Sequence, residues 1–348
     1  MTKEVRVGKL LLGGENPVLV QSMTNTDTRD TDATLAQIRA LADAGCDIVR
    51  ISVYDEACAE AVKILAAESP VPLVADIHFD YKLAIRAAEN GIAKLRINPG
   101  NIGGETRVRE LADCAKAHHI PIRIGVNSGS AEKELLEKYG GPTAECLTES
   151  ALNHARMLEK AGFDNIVLSM KSSDVKLTID AYRLASRRCD YPLHLGVTEA
   201  GLPGQGTVKS AIGIGALLAD GIGDTIRVSL SGDPVPEAAA AWDILRALNL
   251  RVRGVQLIAC PTCGRTCIPV EAIARRVEKE LSDVTVPLKV AVMGCVVNGL
   301  GEGREADVGI AGGKTGGVLF VRGQEPKRVE GDLADQLIRE VRKMVGEK

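Results

Sequence analysis

The chain has 348 residues, of which 45% are hydrophobic and only 3% aromatic, and its formal net charge is −3. This length predicts either two domains or one barrel with an additional domain, and it allows a large core. The weakly acidic charge and the scarcity of aromatic residues exclude a general affinity for nucleic acid or for an anionic membrane.

The first six residues lack the apolar core of a signal peptide, and no apolar run is long enough to span a membrane. We therefore expect a cytosolic (cytoplasmic) protein with no membrane partner. Nine cysteines in a reducing compartment do not predict a disulfide framework. Five of them are scattered singly and are interpreted as ordinary buried thiols: Cys46, Cys58, Cys114, Cys146 and Cys189.

Short apolar strands alternate with helical segments from residue 18 to residue 232. The predicted strands cover residues 18–24, 47–53, 72–79, 94–99, 120–127, 165–172, 193–198 and 225–230. Helical periodicity fills the intervals, and Gly45, Gly91 and Gly162 mark helix ends. Eight repeats of this unit predict a closed (β/α)8 TIM barrel in the α/β class. An open doubly wound sheet is the alternative, but no Gly-x-Gly-x-x-Gly follows the first strand.

The repeat ends after residue 250. Strands predicted at 255–259, 288–293, 308–311 and 317–321, with helices at 270–281 and 331–345, indicate a small α/β domain. We predict a barrel domain over residues 1–253 and a second domain over 254–348. The stretch 312–316 resembles a Walker loop, but it lacks the glycine spacing and precedes a strand, so it does not predict a nucleotide site.

Polar residues lie at the carboxyl ends of the predicted barrel strands, where barrel enzymes bind their substrates. They are Arg50, Asp76, His78, Arg96, Asn98, Arg123, Asn127, Lys171, Glu199, Arg227 and Ser229. Four arginines and a lysine against two carboxylates predict an anion site for more than one phosphate group. Taken singly, each arginine could pair with a neighbouring carboxylate. Lys171 could be a Schiff-base lysine, but its sequence neighbours do not indicate the desolvation that this role needs.

The remaining cysteines are clustered between residues 260 and 295. Cys260 and Cys263 form a Cys-x-x-Cys pair, which alone fits zinc, a redox dithiol or an iron–sulfur cluster. No histidine follows His194 and no second such pair exists, which disfavours zinc. A dithiol would not need Cys295. We predict an iron–sulfur cluster on these three cysteines, and spacing leaves Cys267 and Glu302 open as the fourth ligand.

Six segments together resemble one enzyme family, the 4-hydroxy-3-methylbut-2-enyl diphosphate synthases, in the bacterial two-domain form. They are Val-Gln-Ser-Met-Thr-Asn-Thr-Asp-Thr at 20–28, Arg-Ile-Asn-Pro-Gly-Asn-Ile-Gly at 96–103, Ile-Gly-Val-Asn-Ser-Gly-Ser at 124–130, Cys-Pro-Thr-Cys-Gly-Arg at 260–265, Met-Gly-Cys-Val-Val-Asn-Gly at 293–299 and Gly-Glu at 301–302. The resemblance covers residues 3–345. Leu300 departs from it, since the family often has proline there.

The resemblance implies reductive ring opening and dehydration of 2-C-methyl-D-erythritol 2,4-cyclodiphosphate in the non-mevalonate isoprenoid pathway. Two electrons would pass one at a time through a [4Fe–4S] cluster in a domain resembling the cluster domain of sulfite and nitrite reductases. The family's cluster ligands map onto Cys260, Cys263, Cys295 and Glu302, which leaves Cys267 without a ligand role.

The family's barrel residues map onto the strand-end positions named above. We expect Glu199 to be a partly buried proton donor, with Asp76 and His78 as alternatives, and the others to bind substrate. The resemblance also implies flavodoxin or ferredoxin as electron donor and a head-to-tail homodimer, in which Asn298 would reach the substrate. The rival interpretations are an iron–sulfur electron carrier and a zinc-stabilised aldolase that uses Lys171.

Overall fold

A computed structural model describes residues 1–98, 103–296, 301, 303–313 and 315–346. The chain forms two compact units, Met1–Arg251 and Val252–Lys348. Of the helices in the described residues, none combines the length with the apolar character that crossing a bilayer would require.

The first unit is a barrel of parallel strands, as the alternating pattern predicts. In chain order its strands are β1 Val5–Val7, β2 Leu10–Leu12, β3 Leu19–Met23, β4 Ile48–Ser52, β5 Leu73–Asp76, β6 Lys94–Ile97, β7 Ile122–Asn127, β8 Ile166–Lys171, β9 His194–Leu195 and β10 Thr225–Ile226. The barrel sheet has the order β8-β7-β6-β5-β4-β3-β10-β9. A parallel bridge between Leu168 and Leu193 joins its two ends. The predicted TIM barrel is thus confirmed.

Helices follow the barrel strands and cover the outside of the sheet. They are α1 Thr31–Asp43, α2 Glu56–Glu68, α3 Tyr81–Glu89, α4 Glu105–Ala117, α5 Lys133–Tyr139, α6 Ala144–Lys160, α7 Val175–Arg188, α8 Gln205–Ala219 and α9 Val235–Ala247. Asp30, Asp55 and Asp174 cap α1, α2 and α7 by accepting a hydrogen bond from a backbone N–H of the first turn. The short helix α5 was not predicted, because its seven residues lie inside a long loop.

Alternation along each strand separates two kinds of surface. Leu95 and Ile97 of β6 point outward into the main hydrophobic core, as do Ile122 and Ile124 of β7. The residues between them point into the barrel, because successive side chains of a strand lie on opposite faces. The helix-facing surface is therefore apolar, and the barrel interior is free to carry polar groups.

An antiparallel hairpin of β1 and β2 closes the amino-terminal end of the barrel. Val5, Val7 and Leu12 pack in one apolar cluster with residues from the first two positions of the barrel strands, among them Val74 and Val167. The hairpin was not predicted, since strands of three residues give too short a periodicity. It gives the barrel a closed apolar floor opposite the mouth.

The second unit is a small α/β domain with strands β11 Val255–Ala259, β12 Leu288–Met293, β13 Val308–Gly313, β14 Gly316–Val321 and β15 Lys327–Val329, and helices α10 Val270–Glu280 and α11 Leu333–Met344. The sheet order is β11-β12-β13-β14-β15, parallel in its first three strands and antiparallel afterwards. Gly313 and Gly316 pair across the β13–β14 hairpin, which is unlike a strand–loop–helix phosphate site. The likeness to reductase cluster domains stays a prediction.

Candidate active site

The structure brings the predicted cations together inside the barrel. Arg50 and Arg96 are each 8% exposed, Arg123 is 1% exposed and Lys171 is 7% exposed. The fifth cation, Arg227, follows β10 and has a side chain that is 15% exposed. Such burial of charge is costly unless the charges are paired or meet a ligand of opposite sign.

Asp76 is the carboxylate that pairs with this group on one side of the barrel. Its Oδ1 accepts a hydrogen bond of 2.9 Å from Nη1 of Arg96, and its Oδ2 lies 3.7 Å from Nε of Arg50 and 3.5 Å from Nε2 of His78. Burial by itself would raise the pKa of Asp76, but the charge of Arg50, the hydrogen bond from His78 and the charge of Arg96 hold it well below its ordinary value. Asp76 is therefore ionised at neutral pH.

Glu237 of α9 pairs with the cations on the other side. Its carboxylate accepts hydrogen bonds from the Ser22 hydroxyl at 2.7 Å and from the Leu230 N–H at 2.9 Å. The Arg227 guanidinium also contacts it, with Nε at 3.3 Å and Nη2 at 3.5 Å. Glu237 is buried. It thus joins β3, the segment after β10 and helix α9 around Arg227.

Two glycines make room for the buried cations. A Cβ on Gly125 would lie 2.7 Å from Nε of Arg96, and a Cβ on Gly196 would lie 2.9 Å from Nζ of Lys171. Atoms of these types do not approach so closely, so any larger residue would displace the cation. Both glycines stand on interior faces, and they leave the side chains of Arg96 and Lys171 space within the closed barrel.

Lys171 is more desolvated than its sequence neighbours indicate. Its pKa is well below the ordinary value because of burial, and the charges of Arg123 and Arg50 lower it further. The sequence-based expectation was wrong here, because the desolvation comes from other strands across the barrel and not from Met170 or Ser172 next to it in the chain. In the described residues, the buried carboxylates that pair with this cation group are Asp76 and Glu237.

The partial burial expected of Glu199 refers to a position beside the bound cluster and stays a prediction, since the single chain by itself leaves this side chain exposed. Glu199 is exposed, with a φ of 50°, because β9 ends at Leu195 and the chain then leaves the sheet. A left-handed backbone at a residue other than glycine is strained, and such strain is concentrated at functional loops. His78 is also exposed, with 55% of its side chain accessible. Asn98 is buried at the end of β6, while Asn127 and Ser229 are half-buried.

The clustered cysteines lie on two adjacent loops of the second unit. Cys260 follows β11, and its N–H donates to the Val292 carbonyl at 3.0 Å. Cys267 donates its N–H to the Gly294 carbonyl at 2.8 Å, which holds the Cys-x-x-Cys loop beside the turn that carries Cys295. Cys295 is buried, whereas Cys263 and Cys267 are exposed.

The chemistry of these thiols fits an iron–sulfur cluster. Hydrogen bonding from the Arg265 backbone, followed by its side chain and charge, lowers the pKa of Cys263 and favours the thiolate that binds iron. The Cys260 and Cys267 thiols each donate to a nearby carbonyl, of Pro261 at 3.2 Å and of Arg265 at 3.3 Å. Within the part of the chain that the structure describes, no three Cys, His, Asp or Glu residues are already arranged around a metal. Glu302 and Asn298 lie outside the described residues.

Glu237, Gly125 and Gly196 belong to this site, although the sequence reasoning did not select them. Gly125 shares a face of β7 with Asn127, and Gly196 alternates with His194 within the predicted strand 193–198, so alternation is a signal for both. For Glu237 the sequence offers no comparable signal, because its partner Ser22 is 215 residues away.

Both units match one protein family. Residues 2–242 match the GcpE TIM-barrel domain, and residues 256–343 match the GcpE protein C-terminal domain. The chain is 58% identical over 348 residues to a Geobacter sulfurreducens protein named 4-hydroxy-3-methylbut-2-en-1-yl diphosphate synthase (flavodoxin), covering 100% of this chain and 99% of that protein. A Caldanaerobacter subterraneus subsp. tengcongensis protein of the same name is also 58% identical over 348 residues, covering 100% of this chain and 98% of the relative.

Among solved structures, Yersinia pestis dihydropteroate synthase has a similar fold, with a TM-score of 0.52 and 16% identity. The match covers 72% of this chain and 100% of that chain. At this identity the likeness supports the barrel fold alone.

Proposed function

Because the chain belongs to the GcpE family, we propose that it catalyses the reaction for which its relatives are named, the formation of 4-hydroxy-3-methylbut-2-en-1-yl diphosphate. The substrate is 2-C-methyl-D-erythritol 2,4-cyclodiphosphate, whose ring is opened reductively with loss of water in the non-mevalonate isoprenoid pathway. The protein is then an iron–sulfur oxidoreductase, with the barrel unit as the substrate domain and the second unit as the cluster domain.

The observation that carries this proposal is the buried surplus of positive charge in the barrel. Among the residues that the structure describes, Arg50, Arg96, Arg123, Lys171 and Arg227 share two buried carboxylates. A substrate with two phosphate groups supplies the missing negative charge, and guanidinium groups match phosphate oxygens in pairs. An iron–sulfur electron carrier would have no use for this arrangement, and metal content separates the proposal from a zinc-stabilised aldolase that uses Lys171.

Each polar residue of the mouth has a proposed role. Asp76 holds Arg96 and Arg50 in place, and its low pKa makes it a poor proton donor. Glu199 is the proposed proton donor, supported by its exposed position on a strained loop at the end of a barrel strand. His78 is the alternative donor. Asn98, Asn127 and Ser229 bind the substrate by hydrogen bonds. Turnover unaffected by Glu199→Gln would transfer the donor role to His78.

The proposed cofactor is a [4Fe–4S] cluster on Cys260, Cys263, Cys295 and Glu302, with flavodoxin or ferredoxin as electron donor. When bound, such a cluster supplies single electrons and an iron that polarises a substrate oxygen. The chain's own contribution is to hold Cys260 and Cys263 beside the Cys295 turn through the hydrogen bonds to Val292 and Gly294. We also propose that Asn298 contacts the substrate.

The test compares Cys295→Ser with Cys267→Ser in protein prepared without oxygen. Wild-type protein should contain about four irons per chain and turn over the cyclic diphosphate with a chemical reductant. Cys295→Ser should lose the bound iron and at least about 10³-fold of the activity, since a buried ligand is removed. Cys267→Ser is the matched control and should keep both. A colourless wild-type protein with one zinc would contradict the proposal.

We propose a homodimer in which active sites are completed between subunits, as the family resemblance implies. The test mixes a barrel-defective Lys171→Met chain with a cluster-defective Cys295→Ser chain after unfolding and refolding together. Sites completed between subunits should restore about a quarter of wild-type activity, because half of the dimers are mixed and each has one intact site. No restoration in demonstrably mixed dimers would mean that each chain works alone.

A further inference from the structure

A lysine that no step above uses lies deep in the barrel beneath the cation group. Lys94 is the first residue of β6 and is 0% exposed. Its strand neighbours Leu95 and Ile97 belong to the helix-facing core, so Lys94 shares the interior face with Arg96 and Asn98. The residue paired with it on β5 is Val74, a member of the apolar floor. Lys94 therefore lies next to the apolar floor, two residues before Arg96 on the same face of β6.

The amine of Lys94 has no hydrogen-bond partner among the described residues. Nearby polar groups in the interior are similarly unpaired: Nε and Nη2 of Arg123, both amide atoms of Gln21, and Nε2 of His194. A charged ammonium in such surroundings loses its hydration without gaining a carboxylate, which is among the most unfavourable states for a lysine. The geometry alone thus favours an uncharged amine.

The other charged and titratable groups in the interior strengthen this conclusion. Strands β4 to β9 contribute Arg50, Asp76, Arg96, Arg123, Lys171 and His194, and the segment after β10 contributes Arg227, which pairs with the buried Glu237 of α9. The arginines keep their protons in proteins, so any loss of charge falls on the lysines and the histidine. Burial lowers the pKa of Lys94 well below its usual value, and the charges of Arg123 and Arg50 lower it further. Burial also lowers the pKa of His194.

We propose that Lys94 is an additional substrate-site residue, whose amine is neutral in the substrate-free barrel and accepts a proton from solvent when the cyclic diphosphate binds. The phosphates bring negative charge above a group of uncompensated cations, and this favours the protonated amine. Lys94 then holds a positive charge beneath the phosphates that is absent from the empty site. This inference rests on the proposed function, because it takes the ligand to be that substrate.

The substrate itself makes the proton count interpretable. Each phosphorus of the cyclic diphosphate carries one ester bond and one anhydride bond, so only strongly acidic oxygens remain. The ligand is a dianion throughout the neutral and mildly alkaline range and takes up no proton of its own. Protons consumed on binding must therefore be bound by the protein.

The experiment is calorimetric titration of the oxidised holoenzyme with the cyclic diphosphate, without a reductant, so that no turnover occurs. Repeating it in buffers of different ionisation enthalpy gives the number of protons taken up, across a series from about pH 7 to about pH 9.5. Wild-type protein should take up at least about one proton, and its Kd should rise by up to about tenfold per pH unit for each proton taken up in that range. Lys94→Met should take up about one proton fewer and bind about tenfold more weakly.

Two controls separate the possible outcomes. Lys63→Met removes an exposed lysine of α2 and should leave the proton count unchanged. Lys171→Met should weaken binding while retaining the proton taken up by Lys94. Uptake that disappears in Lys171→Met and persists in Lys94→Met would overturn the proposal, and so would a wild-type protein that binds without any uptake. If Lys94→Met does not fold, the proton uptake of the wild-type protein still tests the proposal. Lys94→Gln is then measured in place of Lys94→Met. A wild-type holoenzyme that does not bind the cyclic diphosphate would instead contradict the proposed function.

Discussion

The two units hold their candidate groups in different ways. In the barrel, Arg50, Arg96 and Lys171 lie on strands whose backbones are fixed by the sheet, and Asp76 and Glu237 fix the guanidinium groups. In the second unit, the thiols of Cys260, Cys263 and Cys295 lie on loops that follow β11 and β12. The sheet therefore fixes the positions of the barrel side chains. The loops bring the three thiols near one another but do not yet arrange them around a metal.

This difference follows from what each site must bind. Buried cations repel one another, so a rigid closed sheet is needed to hold them before an anion arrives. Thiolates likewise repel, but a metal ion cross-links them strongly and can order the loops that carry them. We therefore expect barrel substitutions to act on substrate binding, and substitutions near the cysteine loops to act first on iron content.

The largest effect is expected from Gly312→Ala in β13. A Cβ there would lie 2.7 Å from the Gly294 carbonyl oxygen, which accepts the Cys267 N–H, and 2.8 Å from Ile268. The turn carrying Cys295 would have to move, so iron content should fall by more than half and activity by about 10²-fold or more. The measurement is iron per chain together with turnover.

The adjacent Gly313→Ala is the control for Gly312→Ala. Among the described residues, its Cβ would have its nearest contacts with the Gly316 backbone, at 3.4 Å or more. Equal iron loss in both variants would mean that the strand, and not the contact with Gly294, determines cluster retention.

The next effect is expected from Gly196→Ala in the barrel. The new Cβ would displace the Lys171 amine and meet the Arg227 carbonyl oxygen at 2.8 Å, which should raise KM about tenfold or more without changing iron content. Gly215→Ala is the matched control, because a Cβ at that position in α8 meets nothing within 4 Å. It should leave KM unchanged and raise the free energy of unfolding by about 0.5–1 kcal/mol. A normal KM in Gly196→Ala would show that the cation positions are adjustable.

A smaller effect is expected from Glu237→Gln. The amide oxygen can replace Oε1 and still accept from the Leu230 N–H, and the amide NH2 in place of Oε2 can donate to the Ser22 hydroxyl, but the charge opposite Arg227 is lost. KM for the cyclic diphosphate should rise about three- to tenfold, while kcat at saturation changes less, because Arg227 is held less firmly. Ser22→Ala, which removes a hydrogen bond and no charge, should change KM less. A larger effect of Ser22→Ala would contradict the charge argument.

The smallest effect concerns stability at acid pH and the loop after β7. Glu132 accepts hydrogen bonds from Ser150 at 2.5 Å and contacts Nε2 of His154 at 2.9 Å. Burial would raise its pKa, but His154 and Ser150 lower it from 4.5 to about 2. Because the folded-state pKa is depressed, this stabilisation is present above about pH 4.5 and is lost as the pH falls towards 2.

Glu132→Gln should therefore lower the free energy of unfolding by about 1–2 kcal/mol above pH 5, after allowance for partial solvent screening, and by less at lower pH. The sole tryptophan, Trp242 in α9, reports denaturant unfolding of the barrel unit. A difference between wild type and variant that does not change with pH would show that the Glu132 charge contributes nothing.

Much of the barrel site was predictable because strand position and side-chain direction follow from local patterns. Arg96, Asn98 and Arg123 stand at strand positions where alternation places them, and the structure finds them buried in the interior. The exposed position of Glu199 could not be predicted, because the length of β9 is set by pairing with β8 and β10, which no local pattern shows. The hairpin floor and Glu237 were missed for the same reason, since their contacts join distant segments.

The sequence by itself determined the repeat of strands and helices, the strand-end cations and the clustered cysteines, because these depend on spacing within a few residues. Only the tertiary structure decided the pKa shifts of the buried side chains in the barrel and the space available to them. In the sequence, Lys94 is indistinguishable from an ordinary strand lysine. Closure of the barrel buries it near Arg50 and Arg123, which come from other strands. Desolvation and charge repulsion are sums over neighbours in space, and the fold chooses those neighbours.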